Sequence, residues 1–206
     1  MSVADRVDIT SVQTLSEDWA TLRKTTFRFR RRDGSWQQLV RETYDRGDGA
    51  AILLFDPDRQ VVLLTRQFRY AAYVNGHDDL MTEAAAGLLD GADPITRIRA
   101  EVEEETGYRL REVLPIFQAF MSPGSVTERL HFFVGIYSET DRISSGGGLL
   151  DEGEDIEQLE LPLGRALTMI ASGEICDAKT IMLLQFAALH LRPSGQRVSA
   201  LESITG

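Results

Sequence analysis

GLLDGADPITRIRAEVEEETGY, Gly87 to Tyr108, reads as a helix between two stops. Asp93-Pro94 suits an N-cap followed by proline at the first helical position. Ile95, Ile98 and Val102 recur at i, i+3 and i+7 as an apolar stripe, and Gly107 is a natural terminator. The same helix carries Glu101, Glu103, Glu104 and Glu105. Glu101 faces both Glu104 and Glu105 across one turn, and like charges so spaced cost about 0.2–0.5 kcal/mol per pair. On a helical wheel those three flank the stripe, while Glu103 points to the other side. Two readings account for this flank: a solvated acidic face, or oxygen ligands for a hard divalent cation such as Mg²⁺ or Mn²⁺.

The chain around this helix has 206 residues, enough for one full domain with a small appendage. Hydrophobic residues make up 43%, which allows a sizeable core. A net charge of -10 argues against non-specific binding to nucleic acid or to an anionic membrane. Cys176 is the only cysteine, so no intramolecular disulfide forms and a reducing compartment fits best. The N-terminal residues lack an apolar signal core, and no apolar run approaches the roughly 20 residues of a membrane helix. A soluble, cytoplasmic protein is expected.

Upstream, Thr21 to Arg32 and Trp36 to Tyr44 read as a hairpin around the Asp33-Gly34 turn. AAILLF and VVLLTRQF, around the turn DPDRQ, are almost wholly apolar, as strands buried on both faces would be. Downstream, strands are expected near Val113 to Phe120 and Leu130 to Tyr137, then a glycine-rich acidic loop from Ser144 to Asp155. A strand near Ile156 to Leu161 and helices over Leu163 to Ser172 and Lys179 to Leu191 complete the pattern. Strands bracketing a few helices imply an α/β or α+β sandwich.

The opening stretch resembles the Nudix box, through Gly87, Glu101, Val102, Glu104, Glu105 and Gly107. Three features depart from it: Asp93 stands where Glu is usual, the spacer is one residue short, and Ala100 replaces a basic residue. The likeness continues through YDRGDGAAILLFD, RQFRYAAYVNG, EAAAGLLD, AFMSPGSVTERLHFFVG, GGGLLDEGEDIEQLELP and GEICDAKT. Together these resemble the nucleotide-sugar branch of the Nudix superfamily over about Trp19 to Leu191, and the short spacer is a feature of that branch.

The resemblance implies an α/β Nudix fold, an α/β/α sandwich around a mixed sheet with an N-terminal antiparallel β arm. The implied division is 1–45, an arm exchanged in a homodimer; 46–194, the catalytic domain; and 195–206, a flexible C-terminal tail. The implied metal ligands are Glu101, Glu105, Glu154 and the backbone carbonyl of Ala86, with Mg²⁺ expected and Mn²⁺ as the alternative. Glu154 is expected to take the proton from the attacking water, with Glu104 as its alternative. The acidic loop around Glu154 would close on substrate. Substrate contacts fall on Trp19, Arg41, Glu42, Arg69, Glu128 and Lys179; of these, Arg41 and Glu42 would serve the partner subunit's site. Val40 replaces a basic residue in that segment.

The implied activity is hydrolysis of the pyrophosphate bond in a nucleoside diphosphate sugar, with GDP-mannose yielding GMP and mannose 1-phosphate. Two other readings stay open: hydrolysis of ADP-ribose or an ADP-sugar, and a non-catalytic nucleotide-binding module favoured only by Ala100. Arg97, one turn before Glu101, is placed to stand in for the basic residue missing at position 100, whereas Arg99 is expected to face Glu103.

Overall fold

Three segments of alternating residues build the first sheet. β1 (Val7–Glu17), β2 (Thr21–Arg30) and β3 (Trp36–Asp45) pair antiparallel in that order. The structure is a computed structural model and describes residues 2–191. The chain divides into two units, Met1–Asp48 with Phe120–Arg129, and Gly49–Ala119 with Leu130–Gly206. The segment expected as a tail, 195–206, lies outside the described residues. The Asp33-Gly34 turn forms as expected, with Ser35 N–H and Oγ both donating to Asp33. β1 falls within the expected β arm, 1–45, in which the sequence pattern singled out only the Thr21–Tyr44 hairpin. Two irregularities, at Ile9/Ser11 and Thr14/Ser16, break its alternation. Ile9, Phe27 and Leu39 stand opposite one another and so share one face of this sheet.

The second unit is built on β4 (Gly49–Asp56) and β5 (Val61–Gln67), followed by the single turn α1 (Tyr70–Tyr73). Next come β6 (Met81–Glu83), β7 (Ala85–Leu88) and α2 (Pro94–Thr106). β8 (Glu112–Phe120), β9 (Arg129–Ile136), β10 (Glu157–Pro162), α3 (Leu163–Ser172) and α4 (Ala178–His190) complete it. The sheet runs β10-β5-β4-β9-β8, with β6 added to β5 and β7 to β4. β4 lies antiparallel to β5 but parallel to β9, so the sheet is mixed.

Every residue of β4 is buried. Ala50, Ile52 and Leu54 share a core with Ile98 and Val102 of α2. By strand alternation Ala51, Leu53 and Phe55 point to the opposite face, and they are as deeply buried. α4, which also packs on β4, carries the buried Leu183, Leu184 and Ala187. That two-sided cover is the expected α/β/α sandwich around a mixed sheet. Ile95 departs from the expected stripe. It is 38% exposed, in the first turn of the helix.

Candidate active site

α2 positions the acidic residues. Asp93 caps it as expected, its carboxylate accepting from Thr96 N–H at 3.0 Å. Gly107 ends it at φ 75°, and a Cβ there would lie 2.3 Å from the Ser144 carbonyl, so close approach as well as handedness demands glycine. The helix buries Glu101 and Glu105, and leaves Glu103 and Glu104 half-buried. Glu103 turns away and accepts two hydrogen bonds from Arg109, at 2.8 and 3.0 Å. Arg99 was expected opposite it. Its charge helps to lower the Glu103 pKa, after the larger effect of Arg109, while its guanidinium donates to the carbonyls of Leu110 and Arg111.

Arg97 Nη2 meets Glu101 Oε1 at 2.6 Å, and its Nε donates to the Leu88 carbonyl at 3.2 Å. Glu101 is thereby held against β7. A Cβ on Gly87 would fall 1.7 Å from Glu101 Oε1, so glycine lets the carboxylate settle against the backbone there.

Glu105 is 1% exposed, and its Oε2 has no hydrogen-bond partner. Burial pushes its pKa well above the usual carboxylate range, and the charges of Glu101, Glu154 and Glu83 push it further. A buried carboxylate oxygen without a donor is costly, and a cation among these carboxylates would satisfy it. The oxygen-only donor set of Glu101, Glu105 and the Ala86 carbonyl fits a hard divalent ion. Among the described residues, no three acidic, histidine or cysteine side chains are already gathered as one metal's ligand shell. The carboxylates therefore act on one another through their charges without forming a closed ligand shell.

Glu154 accepts from Leu149 N–H at 3.0 Å, which turns its carboxylate onto its own loop. It lines a cavity of about 130 Å³ with Gln67, Phe68, Leu80, Gly153, Asp155 and Glu157. The root of the loop is docked on the end of α2: Gly147 and Gly148 N–H donate to the Glu105 and Glu104 carbonyls at 2.9 and 3.1 Å. A larger cavity, about 410 Å³, is lined by Leu63, Tyr108, Glu139, Arg142, Gln158 and Glu160 and holds none of the expected site residues.

Two expected substrate residues meet on a third that the sequence reading passed over. Arg69 Nε donates to Glu83 Oε1 at 2.6 Å, and Lys179 Nζ pairs with Glu83 Oε2. Burial opposes the Arg69 charge, but Glu83's attraction and hydrogen bond leave its pKa raised. Glu83 heads the quoted segment EAAAGLLD; its place in that segment was the only signal for it.

The remaining expected contacts belong to the first unit. Trp19, in the β1–β2 turn, is 68% exposed. Arg41 is exposed, donating to the Val40 carbonyl, and Glu42 stands opposite Lys24. Glu128 is buried and accepts from Arg46 Nε at 2.8 Å, so its carboxylate is already engaged within its own unit.

A family model described as the GDP-mannose pyrophosphatase NudK N-terminal domain matches residues 6–44, and one for the NUDIX domain matches residues 45–181. A GDP-mannose pyrophosphatase of Klebsiella pneumoniae subsp. pneumoniae is 52% identical over 173 residues, 84% of this chain and 86% of that protein. One of Pectobacterium atrosepticum is 50% identical over 185 residues, 89% of this chain and 95% of that protein. A crystal structure of an ADP compounds hydrolase superposes with a TM-score of 0.68 at 17% identity, covering 89% of this chain and 93% of that one. At that identity the likeness concerns the fold.

Proposed function

The chain belongs to the Nudix hydrolases, and on that premise we propose that it cuts the pyrophosphate bond of a nucleoside diphosphate sugar, GDP-mannose, to give GMP and mannose 1-phosphate. The observation that carries this reading is the orphaned oxygen of buried Glu105, set in the field of Glu101, Glu154 and Glu83. The substrate assignment is supported by the relatives at 50–52% identity named GDP-mannose pyrophosphatases.

Nudix hydrolases are generally dependent on a divalent metal. Here we take it as Mg²⁺, held by Glu101, Glu105 and the Ala86 carbonyl with Glu154 joining them, where it supplies neutralisation of the diphosphate charge and a more acidic water. The chain's own residues do the rest. Arg97 fixes Glu101 by its ion pair. Arg69 and Lys179 grip the substrate phosphates, Arg69 as a planar fork and Lys179 as a point charge. Glu154 leaves Leu149 N–H and takes the proton of the water that adds to phosphorus, with Glu104 as the alternative acceptor. The leaving phosphate departs with the electrons of the broken P–O bond.

The arm acts in a homodimer, with Trp19, Arg41 and Glu42 serving the partner's site. Its support is the exposed apolar side chains of the first sheet, among them Ile9 at 61% and Val12 at 57%. Among the described residues no helix is long and apolar enough to cross a membrane. The exposed, unpaired Cys176 suits the reducing cytoplasm, where we place the enzyme.

The test is a panel of nucleotide sugars incubated with Mg²⁺, the products resolved by chromatography, with Glu105→Gln alongside. GMP from GDP-mannose ahead of AMP from ADP-ribose, lost in the variant, is the expected result. A preference for ADP-ribose would overturn the substrate. Binding without turnover of any substrate would leave a nucleotide-binding module.

A further inference from the structure

Glu83 is buried, carries an acidic group and has no part in the chemistry above, yet it holds two residues that do. Its Oε1 accepts from Arg69 Nε at 2.6 Å and its Oε2 from Lys179 Nζ. Lys179 Nζ also reaches Asp177 Oδ2 at 3.0 Å. Asp177 in turn caps α4 by accepting from Thr180 N–H at 3.0 Å. Thr180 Oγ1 accepts from Ala84 N–H at 2.7 Å, which fastens the residue after Glu83 to the start of α4. A strand end, the residue preceding α1 and a helix start therefore meet on one carboxylate.

The donors left over point to a purpose. Lysine has three N–H groups; one donates to Glu83, and Asp177 is an ion-pair neighbour. Arginine has five, and its Nε is the one spent on Glu83. Among the described residues no further hydrogen bond takes the Nη groups of Arg69 or the other N–H groups of Lys179, which remain for an anion. The Arg69 side chain is 44% exposed while that of Glu83 is 3% exposed, so the fork faces outward with the carboxylate behind it. Both oxygens of Glu83 are taken by cations, which keeps it out of the cation site despite its influence on Glu105.

We propose that Glu83 is a positioning residue that joins Arg69 and Lys179 into one clamp for the diphosphate of the substrate. The proposal rests on the reading of those two residues as phosphate contacts. Without the carboxylate the two cations repel each other and the clamp opens.

Glu83→Gln keeps the size and removes the charge. With whichever nucleotide sugar the enzyme hydrolyses, KM should rise about tenfold or more with kcat within about threefold. The Mg²⁺ concentration for half-activation should not move, as it would for a metal ligand. Calorimetry with inorganic pyrophosphate in EDTA should show Kd raised by a similar factor, a readout that needs no turnover and survives an error in the substrate assignment. An unchanged KM and pyrophosphate Kd, with only a lower Tm, would reduce Glu83 to a structural role and overturn the proposal. Should Glu83→Gln fail to fold, Arg69→Met, Lys179→Met and their double variant decide it. A clamp predicts a double variant little worse than the weaker single one, and multiplicative losses would contradict it.

Discussion

Glu83 and Glu105 are both buried carboxylates of the second unit, 2% and 1% exposed, and their surroundings are opposite. Glu83 has two cations of the chain on its two oxygens. Glu105 has an oxygen with no partner, and burial and three carboxylates raise its pKa against a smaller opposing effect of Arg69. One buried carboxylate is completed by the protein. The other is left to be completed from outside, which is how a binding site differs from a structural ion pair.

The sharpest way to break this comparison is to neutralise each in turn. Glu105→Gln should lower kcat about 10²–10³-fold, as removal of a group that organises charge at the reacting centre does; a loss under tenfold, measured by product release, would contradict a ligand role. Stability should move the other way. Glu83→Gln strips one buried partner from two cations and should cost about 3–5 kcal/mol in urea unfolding. Glu105→Gln, in EDTA, should be neutral or stabilising. Equal destabilisation would erase the distinction.

Arg97 and Arg99 refine the account. Arg97→Ala frees Glu101 and should lower metal affinity or turnover about 10–100-fold, as loss of an outer-shell partner does. Arg99→Ala loses bonds to the Leu110 and Arg111 carbonyls and an attraction to Glu103, which lies outside the cation site, and should stay within about threefold. Matched kinetics for the two would remove Arg97 as the substitute for the residue missing at Ala100.

The smallest effect is the pH dependence. The raised pKa of Glu105 means that folding favours its protonated form. Its stabilising contribution is present below the unfolded value and is lost as pH rises through the folded one. The lowered groups Asp33, Asp45, Asp93, Glu103, Asp141 and Glu160 are ionised in both states above about pH 5 and do not mask this. In EDTA the melting temperature should fall by a few degrees between pH 5 and 8, and Glu105→Gln should flatten that slope.

The acidic helix was legible because everything that makes it is local: a cap, a stripe, a glycine stop and four glutamates within one window. The Glu83 junction was not, since Arg69, Glu83 and Lys179 lie far apart along the chain and meet only when β6 joins β5 and α4 docks. β6 and β7 escaped notice for a related reason. They are three and four residues long, and alanine-rich β7 has little strand propensity without β4 beside it. Arg99 meets Glu103 through its charge alone, and its hydrogen bonds go to the backbone after α2, which helical spacing does not show.

The most direct test of the central claim, that the acidic flank of α2 is completed by a divalent cation, is a Mg²⁺ titration of thermal stability at pH 7.5. Wild type should gain roughly 5–10 °C at 100 times the dissociation constant. Glu105→Gln should begin at or above the wild-type apo value and gain little. Equal gains in the two proteins would place the cation elsewhere and contradict the account.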